Sequence, residues 1–189
     1  MKKVQLGNKP MLYPYPVTIL GANVKGKANF MALGFVGIVN INPGMIAMGV
    51  ARNHYTTIGI KENQTFSINL PSTDMVKVTD YVGLVSGEKV DKSEMFDVFY
   101  GKVKTAPMIK ECPLTIECKV VEILDRGGVD HIIIGEIVET YCNEECITDG
   151  NPDIEKMKPA VFSMFENKYF SVGEYLGKGW SIGKEYKCK

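Results

Sequence analysis

Two segments of the chain carry residue types that could hold an anionic ligand. Residues 26–34 are rich in small side chains, which lets a ligand approach the backbone closely. Residues 52–58 begin with Arg52 and continue through Thr56 and Thr57 into a predicted helix start. A forked cation, hydroxyls and the free amides of a helix N-terminus are typical donors to phosphate. Together the two segments predict a bound phosphorylated cofactor.

Flavin mononucleotide (FMN) is one cofactor whose needs these segments could meet. It requires donors for its phosphate, hydrogen-bonding groups at the ring edge and apolar surface along the ring. Asn29 offers an amide, and the backbone of residues 30–33 could present N–H groups past the small Ala32. The alternative is purely structural: Thr56 caps a helix, Arg52 is a solvated surface charge and Asn29 lies in a turn.

Composition excludes several classes of protein. The 22 lysines and arginines balance 22 aspartates and glutamates, so we expect no binding of nucleic acid. No run of 18 apolar residues is present and the N-terminus is polar, which predicts a cytoplasmic protein that does not enter the membrane. Five cysteines at irregular spacing, Cys112, Cys118, Cys142, Cys146 and Cys188, favour free thiols over a disulfide framework.

The elements that must position these residues are mainly strands. Residues 16–21, 28–39 and 45–51 are short apolar runs bounded by Gly, Asn and Pro, and residues 65–71 alternate with a period of two. Short helices are predicted over residues 56–62 and, after Ser72 as N-cap, through residues 75–85. Residues 114–124 and 131–141 alternate around a turn at 125–130, which predicts a long hairpin. Residues 148–153 and 173–183 are expected to be loops. The predicted set of strands and helices favours a closed or nearly closed barrel.

An ordered set of motifs resembles a known family. The motifs are PYPVTILGAN at 14–23, NFMA at 29–32, GIVN at 37–40, HYT at 54–56, FSINLP at 66–71, DYVGLVSG at 80–87, APMI at 106–109 and IGEIV at 134–138. Over nearly the full chain this set is similar to the flavin reductase-like split-barrel flavoproteins, and within them to the flavoredoxin and ferric-reductase-like branch.

The resemblance implies a mainly β fold, a six-stranded split β-barrel with flanking helices. It implies a single domain over 1–189 with a C-terminal tail from about 166, a homodimer, and one FMN in each subunit. The segment that matches residues 29–32 would bind the isoalloxazine and the one that matches 51–56 the phosphate, while the loop at 86–89 could add a hydroxyl and a cation. The implied cofactor-binding residues are Asn29, Phe30, Met31, Ala32, Ala51, Arg52, Tyr55, Thr56, Thr57, Ser86 and Lys89. Gly49 and Asn53 depart from the serine and basic residue common in this branch.

Five other residues are candidates for a functional role. His54 could contact phosphate or ribityl hydroxyls, although local hydrogen bonding explains a histidine at a strand–helix junction equally simply. His131 at the start of a hairpin strand is expected to be structural. Cys142 and Cys146 lack the paired spacing of a four-ligand zinc site, so we expect no metal. Trp180 could stack near a partner's flavin, with packing across the dimer as the simpler expectation.

No set of acid, base and nucleophile stands out, which is consistent with chemistry carried by a flavin. We therefore expect an FMN-dependent oxidoreductase or electron carrier, with no catalytic side chain. A G-x-G-x-x-G fingerprint is absent, so NAD(P)H would bind transiently, and a redox protein such as a ferredoxin is an equally compatible donor. Free flavin, a ferric chelate or a partner protein could be the acceptor. The alternatives are a non-catalytic flavin-binding protein and a barrel that binds haem or pyridoxal phosphate instead.

Overall fold

The computed structural model describes residues 1–186, which form mainly strands with three α-helices. The strands are β1 Tyr15–Pro16, β2 Thr18–Val24, β3 Lys27–Leu33, β4 Val36–Ile41, β5 Gly44–Ala51, β6 Thr65–Leu70, β7 Val98–Phe99, β8 Met108–Ile109, β9 Leu114–Leu124, β10 Asp130–Cys142, β11 Ile147–Thr148, β12 Asn151–Pro152, β13 Ala160–Ser163 and β14 Lys168–Ser171. The α-helices are α1 Tyr55–Asn63, α2 Val76–Leu84 and α3 Ile154–Met157, and 3-10 helices span Thr73–Met75, Lys92–Met95, Glu144–Cys146 and Ile182–Glu185.

Seven antiparallel strands form the central sheet, in the order β3-β2-β6-β9-β10-β5-β4. The predicted apolar run at 28–39 is divided, because β3 ends at Leu33 and β4 begins only at Val36. The sheet therefore has one strand more than the six that the resemblance implied. Strands β3 and β4 lie at its two ends, and each has a partner on one side only.

The sheet curls around one apolar core. Side chains from strands far apart in the strand order, such as Leu33 of β3 and Ile46 of β5, are buried in the same cluster as Phe66 of β6. Ile60 of α1 belongs to this cluster as well. Strands from opposite sides of the sheet thus face a common interior, in keeping with the closed or nearly closed barrel that the set of strands and helices predicted.

A second apolar cluster covers the outer face of β2 and β3. Ile19 and Phe30 pack there with Val82 of α2 and with Phe96 and Ile109 from the segment that follows α2. Phe30 is fully buried and its ring meets Phe96 edge-on at 5.3 Å. Because both faces of β3 are covered, its remaining open side is the edge that no strand pairs with.

The predicted helices and hairpin are confirmed with small shifts in their bounds. Strands β9 and β10 pair along the expected hairpin, α1 overlaps the short helix predicted at 56–62, and α2 lies where apolar spacing placed it. Ser72 precedes the 3-10 helix Thr73–Met75 and makes no side-chain cap bond. The α-helix α2 itself begins after this 3-10 helix, at Val76. The loop predicted at 148–153 contains the short ladder of β11 and β12.

A small second sheet, β1-β13-β14, was not predicted from the sequence. It pairs Tyr15 with Phe162, although the two residues are far apart along the chain. Strand β14 of this sheet, Lys168–Ser171, lies within the region expected to be a tail. Residues 187–189, with Cys188 and the end of the expected domain and tail, lie outside the described residues.

Two further observations bear on the expected class of protein. Within residues 1–186, no helix combines the length and the apolar character needed to cross a bilayer. The cysteines Cys112, Cys118, Cys142 and Cys146 are free thiols, as predicted.

Candidate functional site

A groove with a volume of about 270 Å³ lies beside the unpaired edge of β3. Its walls are β3, the start of α1, and residues 82–87, which run from the end of α2 into the following loop. In an antiparallel ladder, alternate residues point their N–H and C=O groups away from the partner strand. The edge of β3 that faces away from β2 therefore offers backbone donors and acceptors to the groove.

A buried hydrogen bond joins the two segments that the sequence singled out. Asn29 Nδ2 donates to Thr56 Oγ1 at 2.7 Å, and the two side chains are 3 % and 2 % exposed. Thr57 is also buried, and its hydroxyl donates to the carbonyl of Ala51 at 2.9 Å. The first bond holds the start of α1 against β3, so that both segments line one cavity, and the second holds it against the end of β5.

The N-terminus of α1 opens toward the groove. His54 is the N-cap residue, it is exposed, and its side chain makes no cap hydrogen bond. The first amides of a helix have no partner within the helix, and α1 is nine residues long, so its positive end is available to an anion. Asn53, His54 and Tyr55 all contribute to the wall of the groove at this point.

Lys92 is a site residue that sequence reasoning missed. It is only 4 % exposed, and its Nζ donates to the carbonyl of Val82 at 2.7 Å near the end of α2. No carboxylate within residues 1–186 forms a salt bridge with it. Burial lowers the pKa of this amine, since desolvation disfavours its charged form. An ammonium has three donors, so two remain for a ligand in the groove that Lys92 lines.

Two glycines allow the end of α2 and the loop after it to approach β3. A Cβ on Gly83 would lie 3.1 Å from the Cβ of Ala32, and one on Gly87 would lie 1.8 Å from Asn29 Oδ1. Only glycine fits at 87 without displacing Asn29, so the loop closes the groove because these positions lack side chains.

A second cavity of about 260 Å³ lies next to the groove and shares Asn29, Tyr55, Gly87 and Lys92 with it. Lys89 contributes to its wall. Lys92 thus stands between two cavities that together follow β3 from its middle to its start.

The structure brings most of the predicted residues together. Asn29, Met31, Ala32, Tyr55, Thr56 and Ser86 line the groove, and Lys89 lines the second cavity. The others lie elsewhere: Phe30 in the outer apolar cluster, Thr57 in its bond to Ala51, and Ala51 in the wall of a third cavity. Each of these assignments to a cofactor stays a prediction.

Arg52, the predicted phosphate ligand, lies outside the wall of the groove. Its guanidinium forms an ion pair with Asp125 in the turn of the β9–β10 hairpin. Its backbone N–H donates to the carbonyl of Val129 at 3.2 Å, in the same turn. Lys92 replaces it as the cation that the structure places at the groove, and the role of Arg52 stays a prediction.

The remaining residues of interest lie away from the groove. His131 is buried with its Nε2 2.9 Å from Nζ of Lys61, which agrees with a structural role. Within residues 1–186, no cluster of three or more His, Cys, Asp and Glu side chains is arranged for a metal ion, so Cys142 and Cys146 have no further ligands. Trp180 is fully exposed.

The third cavity, called here the aromatic pocket, has a volume of about 250 Å³. It shares Met31, Ala32 and His54 with the groove and extends from them toward β1 and β13. The groove and the aromatic pocket are therefore neighbours along β3.

Comparison with known proteins places this geometry in context. Residues 11–162 match the family model of the flavin reductase like domain. Flavoredoxin from Methanosarcina acetivorans is 54 % identical and superposes with a TM-score of 0.94 over 97 % of this chain and 98 % of that one. Flavoredoxin of Desulfovibrio vulgaris (Miyazaki F) is 34 % identical, with a TM-score of 0.90 over 96 % of this chain and 100 % of that one. An uncharacterised protein of Archaeoglobus fulgidus is 32 % identical over 147 residues, 76 % of this chain and 80 % of that protein.

Proposed function

The chain belongs to the flavin reductase-like domain family, and on this premise we propose that it is a flavoprotein that binds FMN along β3 and transfers electrons. Its mainly β fold is the split barrel of that family, as the resemblance implied. The high identity to a flavoredoxin from Methanosarcina acetivorans supports an electron-transfer role.

The single observation that carries this proposal is the donor set at the groove. Lys92 offers a buried ammonium with two free donors, and the N-terminus of α1 offers amides in a positive field. A phosphate dianion is the ligand that such a combination binds best. These donors fit the phosphate of FMN, and they sit in the same cavity as the small residue Ala32.

The other walls of the groove fit the ring of a flavin. The free edge of β3 supplies backbone hydrogen-bonding groups at alternate residues of the stretch that contains Met31 and Ala32, while Val82, Leu84 and Val85 supply apolar surface. These side chains would orient the ring and exclude water from one side of it. Bound FMN supplies the chemistry, since it accepts a hydride or single electrons without help from a catalytic side chain.

The proposal also covers the electron donor, the electron acceptor and the oligomeric state of the protein. NAD(P)H or a reduced redox protein such as a ferredoxin would supply electrons, and free flavin, a ferric chelate or a partner protein would accept them. A homodimer is supported by β4, an edge strand whose side chains Ile38, Val39 and Ile41 are exposed. An apolar edge of this kind is usually covered by another chain.

The visible spectrum of the purified protein tests the proposal, recorded before and after anaerobic addition of NADH or NADPH. We expect a flavin spectrum, intrinsic or restored by added FMN. Bleaching by a pyridine nucleotide would identify that nucleotide as the donor, and bleaching only by dithionite or reduced ferredoxin would identify an electron carrier. A protein that is colourless and takes up no FMN contradicts the proposal.

A further inference from the structure

The aromatic pocket has walls of rings and small residues. Tyr15 of β1 and Phe162 of β13 face each other across a strand pair, and both line the pocket. Phe35 packs against Tyr15 with ring centroids 5.5 Å apart. The hydroxyl of Tyr15 donates to the carbonyl of Pro10, so that the phenol group is engaged outside the pocket and the ring is fixed. A flat ligand would therefore lie among preformed aromatic surfaces.

The charge of the lining selects against anions. Among residues 1–186, no lysine or arginine lines the aromatic pocket, and the acidic residue Asp130 contributes to its wall. The cation of this region, Arg52, is already paired with Asp125. An anionic chelate of iron would meet repulsion and find no partner here, whereas an uncharged ring would lose little on leaving water.

From these observations we infer that the aromatic pocket binds a planar, uncharged ring, aromatic or quinonoid, as the second substrate of the protein. This inference rests on the proposed function, because the pocket adjoins the groove through Met31, Ala32 and His54. A ring in the pocket therefore lies next to the place proposed for the flavin.

Size and polarity narrow the class of ligand. The pocket has a volume of about 250 Å³, so a ligand confined to it has one or two fused rings, whereas the larger FMN would extend through both the groove and the second cavity. His54 is the side chain at the shared boundary that can donate a hydrogen bond to a ring carbonyl.

Equilibrium dialysis of duroquinone against the FMN-loaded protein tests the inference without relying on turnover. We expect saturable binding at one site per chain, and much weaker binding of 2,3,5,6-tetramethylbenzoate, which carries the same four methyl groups on a benzene ring with a carboxylate. Phe162→Ala should weaken duroquinone binding by about tenfold through loss of an aromatic wall. Phe170→Ala is the matched control, because Phe170 lies in the same small sheet but does not line the pocket.

A second variant keeps the test informative if Phe162→Ala does not fold. Gly49 lines the pocket, and a Cβ there would make only ordinary contact with Phe35 at 3.5 Å. Gly49→Leu should therefore fill the pocket and abolish duroquinone binding while FMN binding persists.

Three results would overturn the inference: equal binding of the benzoate, equal losses in Phe162→Ala and Phe170→Ala, or displacement of duroquinone by FMN. The experiment also separates this inference from the proposed function. A protein that binds FMN but not duroquinone contradicts the inference alone. Dialysis of duroquinone against FMN-free protein measures binding in the pocket independently of the cofactor. A protein that binds duroquinone but takes up no FMN supports the inference about the pocket and contradicts the proposed cofactor.

Discussion

The 2.7 Å hydrogen bond from Asn29 Nδ2 to Thr56 Oγ1 ties the edge strand β3 to the start of α1 and thereby shapes the groove. Asn29→Ala would leave the buried Thr56 hydroxyl without its donor. We expect a loss of about 1–3 kcal/mol in the free energy of unfolding, measured by urea titration, together with weaker FMN binding. Asn151→Ala is the control, since Asn151 is exposed and bonds only to the nearby carbonyl of Asp149.

A double-mutant cycle with Thr56→Ala assigns this effect to the bond itself. If the two residues act through their contact, the double variant loses less stability than the sum of the single losses. Strict additivity would show that Asn29 acts on the fold through some other contact.

Lys92 should dominate the binding of the phosphate. Lys92→Met keeps most of the side-chain length but removes the charge, and we expect FMN affinity to fall by about ten- to hundredfold, measured by fluorescence titration. The variant should be at least as stable as the native protein, because a buried amine without a carboxylate partner costs free energy.

Lys104→Met is the matched control for Lys92. Lys104 also donates to a backbone carbonyl, that of Gly101 at 2.7 Å, but it is exposed and lies outside the groove. Comparable losses of FMN affinity in the two variants would mean that Lys92 acts only as a general positive charge.

The stability of the FMN-free protein should depend on pH through the titration of Lys92. Because burial lowers the pKa of its amine, the native state releases a proton that the unfolded chain still holds. The free energy of unfolding therefore rises as pH increases from the lowered pKa to the ordinary pKa of lysine. Affinity for FMN should fall over the same window, because the neutral amine no longer attracts phosphate. Both trends should be absent in Lys92→Met, and their persistence would assign them to another group.

Gly59 allows α1 to pack against β2. A Cβ at this position would lie 2.0 Å from the backbone carbonyl oxygen of Asn23, which cannot move without breaking β2. Gly59→Ala should therefore cost about 3 kcal/mol or more in thermal or urea unfolding, or prevent folding. Gly37→Ala, where a Cβ would meet no atom within 4 Å, should be nearly neutral. A stable Gly59→Ala would show that α1 can shift on the sheet.

Glu117 is a buried carboxylate that anchors the segment before β8. It accepts hydrogen bonds from the backbone N–H groups of Lys102 at 2.9 Å and Val103 at 2.8 Å, and from the Tyr141 hydroxyl at 2.9 Å. Glu117→Gln replaces one acceptor by an amide donor, so we expect a loss of about 2 kcal/mol in the free energy of unfolding. Glu139→Gln alters an exposed carboxylate of the same hairpin and should change stability little. Equal effects would contradict the anchoring role.

Local patterns were sufficient to predict much of the fold. Alternation of apolar residues defined β6 and the β9–β10 hairpin, and the spacing of apolar residues defined α2. The patterns did not show that residues 28–39 break into two strands, because Gly34 and Phe35 interrupt pairing without an obvious turn signal. The β1-β13-β14 sheet escaped prediction because its pairs join segments far apart in the chain.

For the site, the sequence by itself determined which small and hydroxyl residues could approach a cofactor: Asn29, Ala32 and Thr56 carry that information in their types. Only the tertiary structure decided which cation faces the groove. A lysine is usually exposed, so Lys92 gave no signal until the chain after α2 folded back and buried its amine beside Val82. Arg52 instead forms an ion pair with Asp125, which the hairpin turn places beside it. The charge that meets a ligand depends on contacts between distant segments, and composition and spacing do not contain those contacts.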